Sequence, residues 1–430
     1  MKLSKSAIIG LSTTLIAFAQ IPDPVLPSGC GVNIHFTRGH EHDLDMIAAA
    51  GFKLVRMDFE WTATEPTQGT YDWSAYDTLT VNLDQRGLRG YYILDYSNPL
   101  YEGTDSTKNP ITGKMEQHGS AHSPQHPASI AAFGRWAAAA VRHFQGRKII
   151  WEIWNEPNIT FGQPKPDVEQ YTTLAIATCR AIREAEPRAT IVAPATASFS
   201  WDFLDRFLKS GILTYLDGVS VHPYRSPKDP PETADADYKR LRELIARYAL
   251  NPQKKEVPIL SGEWGYSTYT KGVSLQAQAD FIARQQLSNL YCGVPVSIWY
   301  DWKNDGGDPN ENEHNFGTVN IDLTPKPAYR SFQTLAGELP GFRIRKKCET
   351  QNKEDFVLVL TNKAGATKLA AWTLAAPHEV GLDMQPTSKQ NLLFVNGSGE
   401  RGSVNIRENH FSITLSSTPE YISLDQGQLK

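Results

Sequence analysis

The stretch Trp151-Glu152-Ile153-Trp154-Asn155-Glu156-Pro157-Asn158 decides the fold that the rest of the chain must adopt. Bulky apolar residues lead into it from Lys148, and no helix cap precedes it, so the pattern predicts a strand. Pro157 cannot donate a backbone hydrogen bond and therefore closes that strand. The stretch thus places the carboxylate of Glu156 at the carboxyl end of a strand, pointing out of a sheet.

A second stretch, Val257-Pro258-Ile259-Leu260-Ser261-Gly262-Glu263-Trp264-Gly265, repeats this pattern farther along the chain. It is again an apolar strand, and it ends in Gly262 and a glutamate, Glu263. Cleavage of a glycosidic bond requires two carboxyl groups on either side of the bond. The working hypothesis is that Glu156 and Glu263 form such a pair.

Strand and helix signals alternate through the first three quarters of the chain. The predicted strands are 31–36, 52–59, 89–95, the Trp151 stretch, 189–193, 218–222, 257–263 and 295–300. The predicted helices are 43–50, 74–86, 128–144, 167–184, 203–209, 235–248, 274–290 and 326–337. Such α/β alternation favours a closed (β/α)8 TIM barrel over a doubly wound open sheet, and no Gly-rich phosphate fingerprint follows any strand. The long segment 97–127 shows no periodicity and is expected to be a loop.

The pattern of apolar residues changes after residue 341. Short alternating apolar runs at 356–360, 368–372, 391–395 and 410–415 are separated by Gly, Asn, Pro and Ser. This pattern predicts a small antiparallel β-sandwich. The predicted organisation is a catalytic barrel over residues 20–340 and an accessory β-sandwich domain over residues 341–430.

Residues 1–19 are typical of a secretory signal peptide. Lys2 and Lys5 form a positive region, an apolar run from 7 to 17 follows, and Ala17-Phe18-Ala19 provides a small-x-small cleavage site. The apolar run is too short to span a bilayer. We therefore expect a secreted or periplasmic protein that is not held in a membrane.

Composition narrows the range of partners. The net charge of −4 offers no basic surface for nucleic acid, whereas 10 Trp and 17 Tyr supply rings of the kind that stack on sugars. Four scattered cysteines lack the spacing of a zinc or redox site, and a bridge between Cys30 and Cys348 stays open. Neither the histidines around His35 nor the acidic segment 301–314 has a metal-binding motif, so no metal and no cofactor are expected.

In a parallel barrel the reacting groups lie where the strands end. The period of two along a strand puts Glu152 and Trp154 on the face of Glu156, and Ile259 and Ser261 on the face of Glu263. Glu152 lies deeper, and we expect it to form a buried ion pair. The other strand ends contribute the inward polar and aromatic residues His35, Arg56, Asp95, His222, Tyr224 and Trp299.

The motifs at 154–158 and 261–265 resemble those of the clan A glycoside hydrolases, the 4/7 barrel superfamily. The segments Val55-Arg56-Met57-Asp58 and Val221-His222-Pro223-Tyr224 are similar to that clan's strand-two arginine and strand-six His-x-Tyr segment. Trp299 resembles its sugar-stacking tryptophan. With a β-sandwich behind the barrel, the chain is most similar to family 39, with family 5 next.

The resemblance implies a retaining β-glycosidase that acts by double displacement on a plant or microbial β-glycan or oligosaccharide. Glu156 would be the general acid/base and Glu263 the nucleophile, with carboxyl groups about 5–5.5 Å apart. Asn155 would hold the sugar 2-hydroxyl, and Arg56 and Tyr224 would orient the nucleophile. The resemblance further implies that His222 binds the sugar or a neighbouring side chain and that Trp299 forms the floor. Asp95 and His35 are expected to complete the binding site of a monomeric enzyme.

Two other functions fit the same barrel. A non-catalytic carbohydrate-binding protein would keep the aromatic cleft without turnover. An inverting or metal-dependent hydrolase would hold its two carboxyl groups well beyond about 6 Å apart, or would lose its activity to a chelator.

Overall fold

Eight parallel strands close into a barrel in the computed structural model of the chain, which describes residues 21–103, 105–108, 115–118, 122–425 and 429. The strands are β1 (Cys30–Asn33), β2 (Leu54–Glu60), β3 (Arg89–Asp95), β4 (Ile150–Ile153), β5 (Thr190–Ala197), β6 (Gly218–His222), β7 (Ile259–Trp264) and β8 (Val296–Trp299). Each strand pairs with its neighbours in sequence, and β8 closes on β1. The predicted TIM barrel is confirmed. The predicted signal segment, residues 1–19, lies outside the described residues.

Helices surround the barrel and connect its strands. They span Glu41–Ala50, Trp61–Thr64, Ser74–Gln85, Pro127–His143, Val168–Ala185, Trp201–Lys209, Asp235–Tyr248, Pro252–Lys255, Leu275–Tyr291 and Pro327–Glu338. Side-chain caps set several of their starts: Asp167 accepts hydrogen bonds from the amides of Glu169 and Gln170. The helix faces that meet the strands carry apolar side chains, which together form one large buried cluster.

The lower half of the barrel interior is packed with side chains. Seven residues from alternate positions of the strands fill it: Leu54, Tyr91, Ile150, Val192, Leu260, Val296 and Ile298. All are fully buried. Because this layer closes the barrel from below, a ligand can enter only at the carboxyl ends of the strands.

A separate antiparallel unit follows the last barrel helix. Its strands are β9 (Arg343–Lys347), β10 (Asp355–Thr361), β11 (Thr367–Thr373), β12 (His378–Asp383), β13 (Asn391–Asn396), β14 (Arg401–Asn405), β15 (His410–Leu415) and β16 (Glu420–Asp425). Six form a sheet in the order β9-β10-β11-β16-β13-β14, and β12 pairs with β15. Apolar side chains from both sheets form a core of their own. The predicted β-sandwich is confirmed.

The two units are joined by buried apolar and charged contacts. Trp372 of the sandwich is fully buried in the apolar cluster of the barrel. Its indole nitrogen donates to Glu232 (2.7 Å), which also forms a two-pronged ion pair with Arg284 (2.8 Å for each contact). The ion pair belongs to the barrel, and the hydrogen bond from Trp372 to it crosses the junction.

Three further features concern the segment 97–127, the cysteines and the length of the helices. The segment expected to be an irregular loop contains a two-stranded hairpin, Asp105–Lys108 with Met115–His118. Cys30 and Cys348 are not bridged, and all four cysteines are free. Among the described residues, no helix combines the length and apolarity that crossing a bilayer demands.

Candidate active site

A cavity of about 420 Å³ opens at the carboxyl ends of the strands. Six of the nine residues predicted for the site line it: His35, Arg56, Asn155, Glu156, Tyr224 and Glu263. The remaining walls come from Asn33, Asp58, Tyr96, Phe161, Tyr300, Asn312, Glu313 and Phe316. The cavity therefore combines four carboxyl groups, one arginine and several aromatic rings, which suits a polyhydroxylated ligand with apolar faces.

The two predicted acids meet in this cavity. A carboxylate oxygen of Glu156 and one of Glu263 lie within 4.8 Å of each other. Carboxyl groups about 5–5.5 Å apart leave room for a covalent sugar intermediate, whereas about 6.5–9.5 Å is needed to admit a water beside the sugar. The short separation therefore fits nucleophilic displacement with retention of configuration.

A break in strand geometry aims Glu156 into the cavity. Strand β4 ends at Ile153, earlier than predicted, and Trp154 and Glu156 then adopt left-handed backbone angles (φ of 67° and 44°). Such conformations are costly for residues other than glycine and persist mainly at functional sites. Trp154 is buried next to Tyr96 and Phe133 rather than on the face of Glu156, so the prediction of one shared face is wrong.

A β-bulge aims Glu263. Ser261 pairs with Ser297 and Trp264 with Trp299, so β7 carries one extra residue between those pairs. Below the bulge, Leu260 faces the barrel interior, as does Gly262. The prediction that Ile259, Ser261 and Glu263 share a face is therefore wrong. Leu260 and Gly262 are the inward residues of β7, and the bulge turns Glu263 inward directly after Gly262.

Only glycine fits beneath the second glutamate. A Cβ at Gly262 would stand 2.4 Å from Ser220 Oγ and 2.9 Å from Glu152 Oε1. Contacts that short do not occur between real side chains, so either group would have to move. The close approach lets the Ser220 hydroxyl reach Glu152 just below Glu263.

Arg56 organises the floor of the cavity. Its buried guanidinium donates to Glu152 through Nε (3.0 Å) and Nη2 (2.8 Å), which is the ion pair expected for Glu152. Nη1 donates to Asn33 (3.1 Å) and to Glu263, and Nη2 also donates to Asn155 (2.9 Å). The predicted contact of Arg56 with Glu263 is therefore present. The planar guanidinium of Arg56, which belongs to β2, also fixes the positions of the ends of β1, β4 and β7 relative to one another.

The surroundings of Glu263 keep it ionised. Burial alone would raise the pKa of Glu263. The positive charge of Arg56, the electrostatic effect of His222 and the hydrogen bond from Tyr224 outweigh burial, so the pKa is lowered. The Tyr224 hydroxyl donates to Glu263 Oε1 at 2.7 Å. Burial and the neighbouring Glu263 charge raise the pKa of Tyr224 well above its usual value, so its proton stays available for donation. An ionised carboxylate held in this way is suited to nucleophilic attack.

His222 contacts Glu156 and does not line the cavity. It is fully buried, with Nδ1 2.9 Å from Glu156 Oε1 and Nε2 3.3 Å from the Nη2 of Arg56. The imidazole ring therefore lies between the carboxyl group of Glu156 and the guanidinium of Arg56. Of the two contacts expected for His222, the structure shows the one with neighbouring side chains, and His222 thereby orients the carboxyl group of Glu156.

Asp95 also lies beneath the cavity rather than in its wall. It is completely buried, and burial together with the nearby Asp58 raises its pKa well above the usual range. The structure therefore places Asp95 outside the cavity wall, whereas the prediction had placed it among the residues that bind substrate. The carboxyl group that lines the cavity at this wall is that of Asp58, which belongs to β2.

Trp299 does not form the floor. It is fully buried and packs against Tyr266, with ring centroids 6.3 Å apart, on the outer side of β8. Val296 and Ile298 face the barrel interior, and the same alternation directs Tyr300 into the cavity. Tyr300 therefore takes the place predicted for Trp299, and the period of two along β8 would have identified it.

Loop residues complete the cavity and carry no periodic signal. Phe161 follows β4, and its ring stacks on Tyr96 (5.6 Å between centroids) at the mouth. Phe316 contacts Tyr300 edge to face at 5.2 Å. Tyr96 also accepts a hydrogen bond from Asn155 (3.0 Å). These positions depend on how the loops fold back over the barrel, which spacing along the chain does not reveal.

Comparison with known proteins agrees with this geometry. The family model described as Cellulase (glycosyl hydrolase family 5) matches residues 28–306, more than half of the chain. A β-xylosidase of Caldicellulosiruptor saccharolyticus is 24% identical over 273 residues, which are 55% of this chain and 54% of that protein. The chain thus spans about half the length of this curated relative.

Solved structures share the fold across both domains. A family 39 glycoside hydrolase from Bacteroides cellulosilyticus WH2 matches with a TM-score of 0.78 and 23% identity, covering 94% of this chain and 82% of that chain. A family 39 β-xylosidase from Caulobacter crescentus matches with a TM-score of 0.65 and 18% identity, covering 92% and 96%. The resemblance to clan A and to its families 39 and 5 is confirmed. On the strength of the family match, this chain belongs to the cellulase family, glycosyl hydrolase family 5.

Proposed function

We propose that this protein is a retaining β-glycosidase that works by double displacement. The observation that carries the proposal is the pair of carboxylate oxygens of Glu156 and Glu263, within 4.8 Å of each other in one cavity. Each acid also has a partner suited to its role. Glu263 receives the charge of Arg56 and the hydroxyl of Tyr224, and Glu156 receives His222.

In the first step Glu263 attacks the anomeric carbon of the bound sugar. A bond forms between that carbon and a carboxylate oxygen, and the bond to the leaving oxygen breaks. Glu156 donates its proton to the leaving oxygen, so the aglycone departs as a neutral alcohol. Because His222 holds Oε1 of Glu156, the other oxygen of that carboxyl group remains for this transfer.

In the second step water replaces the aglycone. Glu156 is now ionised and accepts a proton from the water, whose oxygen attacks the anomeric carbon. The ester bond to Glu263 breaks, and its carboxylate returns to the contacts with Arg56 and Tyr224. Asn155 is held by Arg56 and Tyr96 beside the reacting acids, where its amide can bind the sugar 2-hydroxyl.

We infer a β-xyloside or a related neutral β-glycoside as the substrate. Two curated relatives carry the name β-xylosidase, although each matches only about half of its own length. The cavity suits a neutral sugar because acids dominate its charges and Arg56 is already engaged by protein groups. A source in plant or microbial β-glycans, export from the cell and action as a monomer belong to the same proposal.

The test is a screen of aryl β-xylosides, glucosides, galactosides and arabinosides, with NMR detection of the first-formed sugar anomer. A β product from a β substrate is expected. The α anomer as first product would establish inversion, and no turnover of any glycoside despite sugar binding would establish a non-catalytic barrel.

Variants separate the two acids. Glu263→Gln should lower kcat by about 10⁴-fold or more for every substrate, because it removes the nucleophile. Glu156→Gln should lower kcat/KM by about 10²–10⁴-fold for a poor leaving group and far less for dinitrophenol, which departs without protonation. Its kcat should fall for both substrates, because the second step loses its base. Glu311→Gln, a change of an exposed acid in a nearby loop, serves as the matched control.

A further inference from the structure

A histidine and two aspartates meet beside the cavity, apart from the reacting acids. His35 follows β1, and Asp301 and Asp305 follow β8, which is the neighbour of β1 in the barrel. One ligand-type atom from each of the three lies within 4.8 Å of the other two. Asp301 is 1% exposed, whereas the side chain of His35 is 40% exposed and Asp305 is open to solvent.

The carboxylate of Asp301 has no hydrogen-bond donor among the described residues. Its Oδ1 is buried without a partner, and its Oδ2 points at His35 Nε2. The buried ammonium of Lys326 donates no hydrogen bond to it, but to Thr268, Asn304 and the carbonyl of Asn315 instead. A buried carboxyl group without a partner stays protonated unless a cation compensates its charge.

The separation of these atoms is informative. Nε2 of His35 stands 3.7 Å from Oδ2 of Asp301, which is longer than a hydrogen bond. Two ligands that each bind one ion at about 2.0–2.2 Å stand roughly 3–4 Å apart. The gap therefore has the size expected for atoms that share an ion, and Asp305 approaches it from the solvent side.

We propose that His35, Asp301 and Asp305 together bind one divalent transition-metal cation, Zn²⁺ or Mn²⁺. An imidazole nitrogen suits these ions, whereas Ca²⁺ and Mg²⁺ prefer shells of oxygen alone. Three protein ligands leave further coordination positions for water. Because the ring of His35 lines the cavity, the ion would fix one wall of the sugar site without touching the reacting acids.

A second group with similar spacing does not carry the same inference. Glu156, His222 and Glu263 also have ligand-type atoms within 4.8 Å of one another. There, however, the Tyr224 hydroxyl and the Arg56 guanidinium occupy the oxygens of Glu263, and His222 is engaged on both ring nitrogens. An ion at that place would have to displace these contacts, whereas at Asp301 it would supply a missing one.

The test is calorimetric titration of the full chain, after treatment with EDTA, with Zn²⁺, Mn²⁺ and Ca²⁺ separately. One saturable site per chain is expected for Zn²⁺ or Mn²⁺, with weaker binding of Ca²⁺. At a saturating excess the Tm should rise by about 2 °C or more. Asp305→Asn should weaken binding by about 10-fold or more, and its exposed side chain makes the change safe for folding.

Two further variants decide the location of the ion. His35→Gln should weaken binding as Asp305→Asn does, whereas Glu311→Gln removes an equally exposed acid of the same loop and should leave the affinity unchanged. Absence of saturable binding, equal affinity in Asp305→Asn and the unaltered chain, or tighter binding of Ca²⁺ than of Zn²⁺ and Mn²⁺ would each overturn the proposal.

Discussion

The hydroxyl of Tyr224 offers a sharp test of how the nucleophile is prepared. It donates to Glu263 Oε1 at 2.7 Å and is one of the groups that lower the pKa of that carboxyl against the effect of burial. Tyr224→Phe removes this donor and leaves the ring in place. Arg56 still donates to the other oxygen, so Glu263 keeps one of its two hydrogen-bond donors.

The size of the effect follows from the charge on the acceptor. A hydrogen bond to a charged group contributes about 1.5–3 kcal/mol, and about 1.4 kcal/mol of preference for the ionised form corresponds to one pKa unit. Because the contact favours ionised Glu263, its loss moves the acid limb of kcat/KM to higher pH, by about one unit or more. Activity near pH 4–5 should therefore fall more than activity at pH 7.

The assay is a pH profile of kcat/KM on an aryl β-glycoside. Tyr266→Phe is the matched control: Tyr266 is a buried tyrosine two residues beyond the end of β7, and its hydroxyl donates to the carbonyl of Asp229. It should lower stability without moving the acid limb. An unshifted limb in Tyr224→Phe, or an equal shift in Tyr266→Phe, would refute the account of the Glu263 site.

Three further outcomes follow from the geometry. Gly262→Ala should lower Tm and kcat together, since the added methyl meets Ser220 at 2.4 Å and overpacking costs about 1–3 kcal/mol. Glu232→Ala should destabilise the chain by about 3–5 kcal/mol in thermal or denaturant unfolding, because its arginine partner is left buried and unpaired. Tyr300→Ala should reduce kcat/KM by about 10-fold or more through loss of a ring that faces the sugar, whereas Trp299→Phe should change stability and leave KM near its original value.

Two control substitutions test the causes given for the effects at Gly262 and Glu232. Gly337→Ala adds a methyl where nothing lies within 4 Å, so it should not destabilise the fold. Asp202→Ala breaks an exposed ion pair and should cost less than about 1 kcal/mol. A loss in either control as large as that at Gly262 or Glu232 would contradict the assignment of those effects to steric contact and to buried charge.

The barrel could be predicted from the sequence because each of its units carries its own local signals. Strands such as Gly218–His222 carry valines at every second position, and helices such as Val168–Ala185 start at a capping residue and show a helical period. Glu156 and Glu263 could be located because both stand at the ends of such strands. The buried ion pair of Glu152 followed from its depth in the same strand.

The orientation of the last residues could not be predicted in the same way. The period of two fails after Ile153, where the backbone turns left-handed, and again at Gly262, where β7 gains a residue. Tyr300 was missed although its alternation with Ile298 was intact, because tryptophan was expected to form the floor. Loop residues such as Phe161 reach the cavity through tertiary contacts that no local pattern encodes.

The single guanidinium of Arg56 has a consequence for how this enzyme can diversify. Its donors tie β1, β4 and β7 to one planar group on β2, below every loop of the cavity. Insertions or exchanges in those loops can therefore alter which sugar is accepted while the distance between the two acids stays constant. New substrate specificities can therefore evolve through changes in the loops at the mouth of the barrel, while the positions of the catalytic acids are retained.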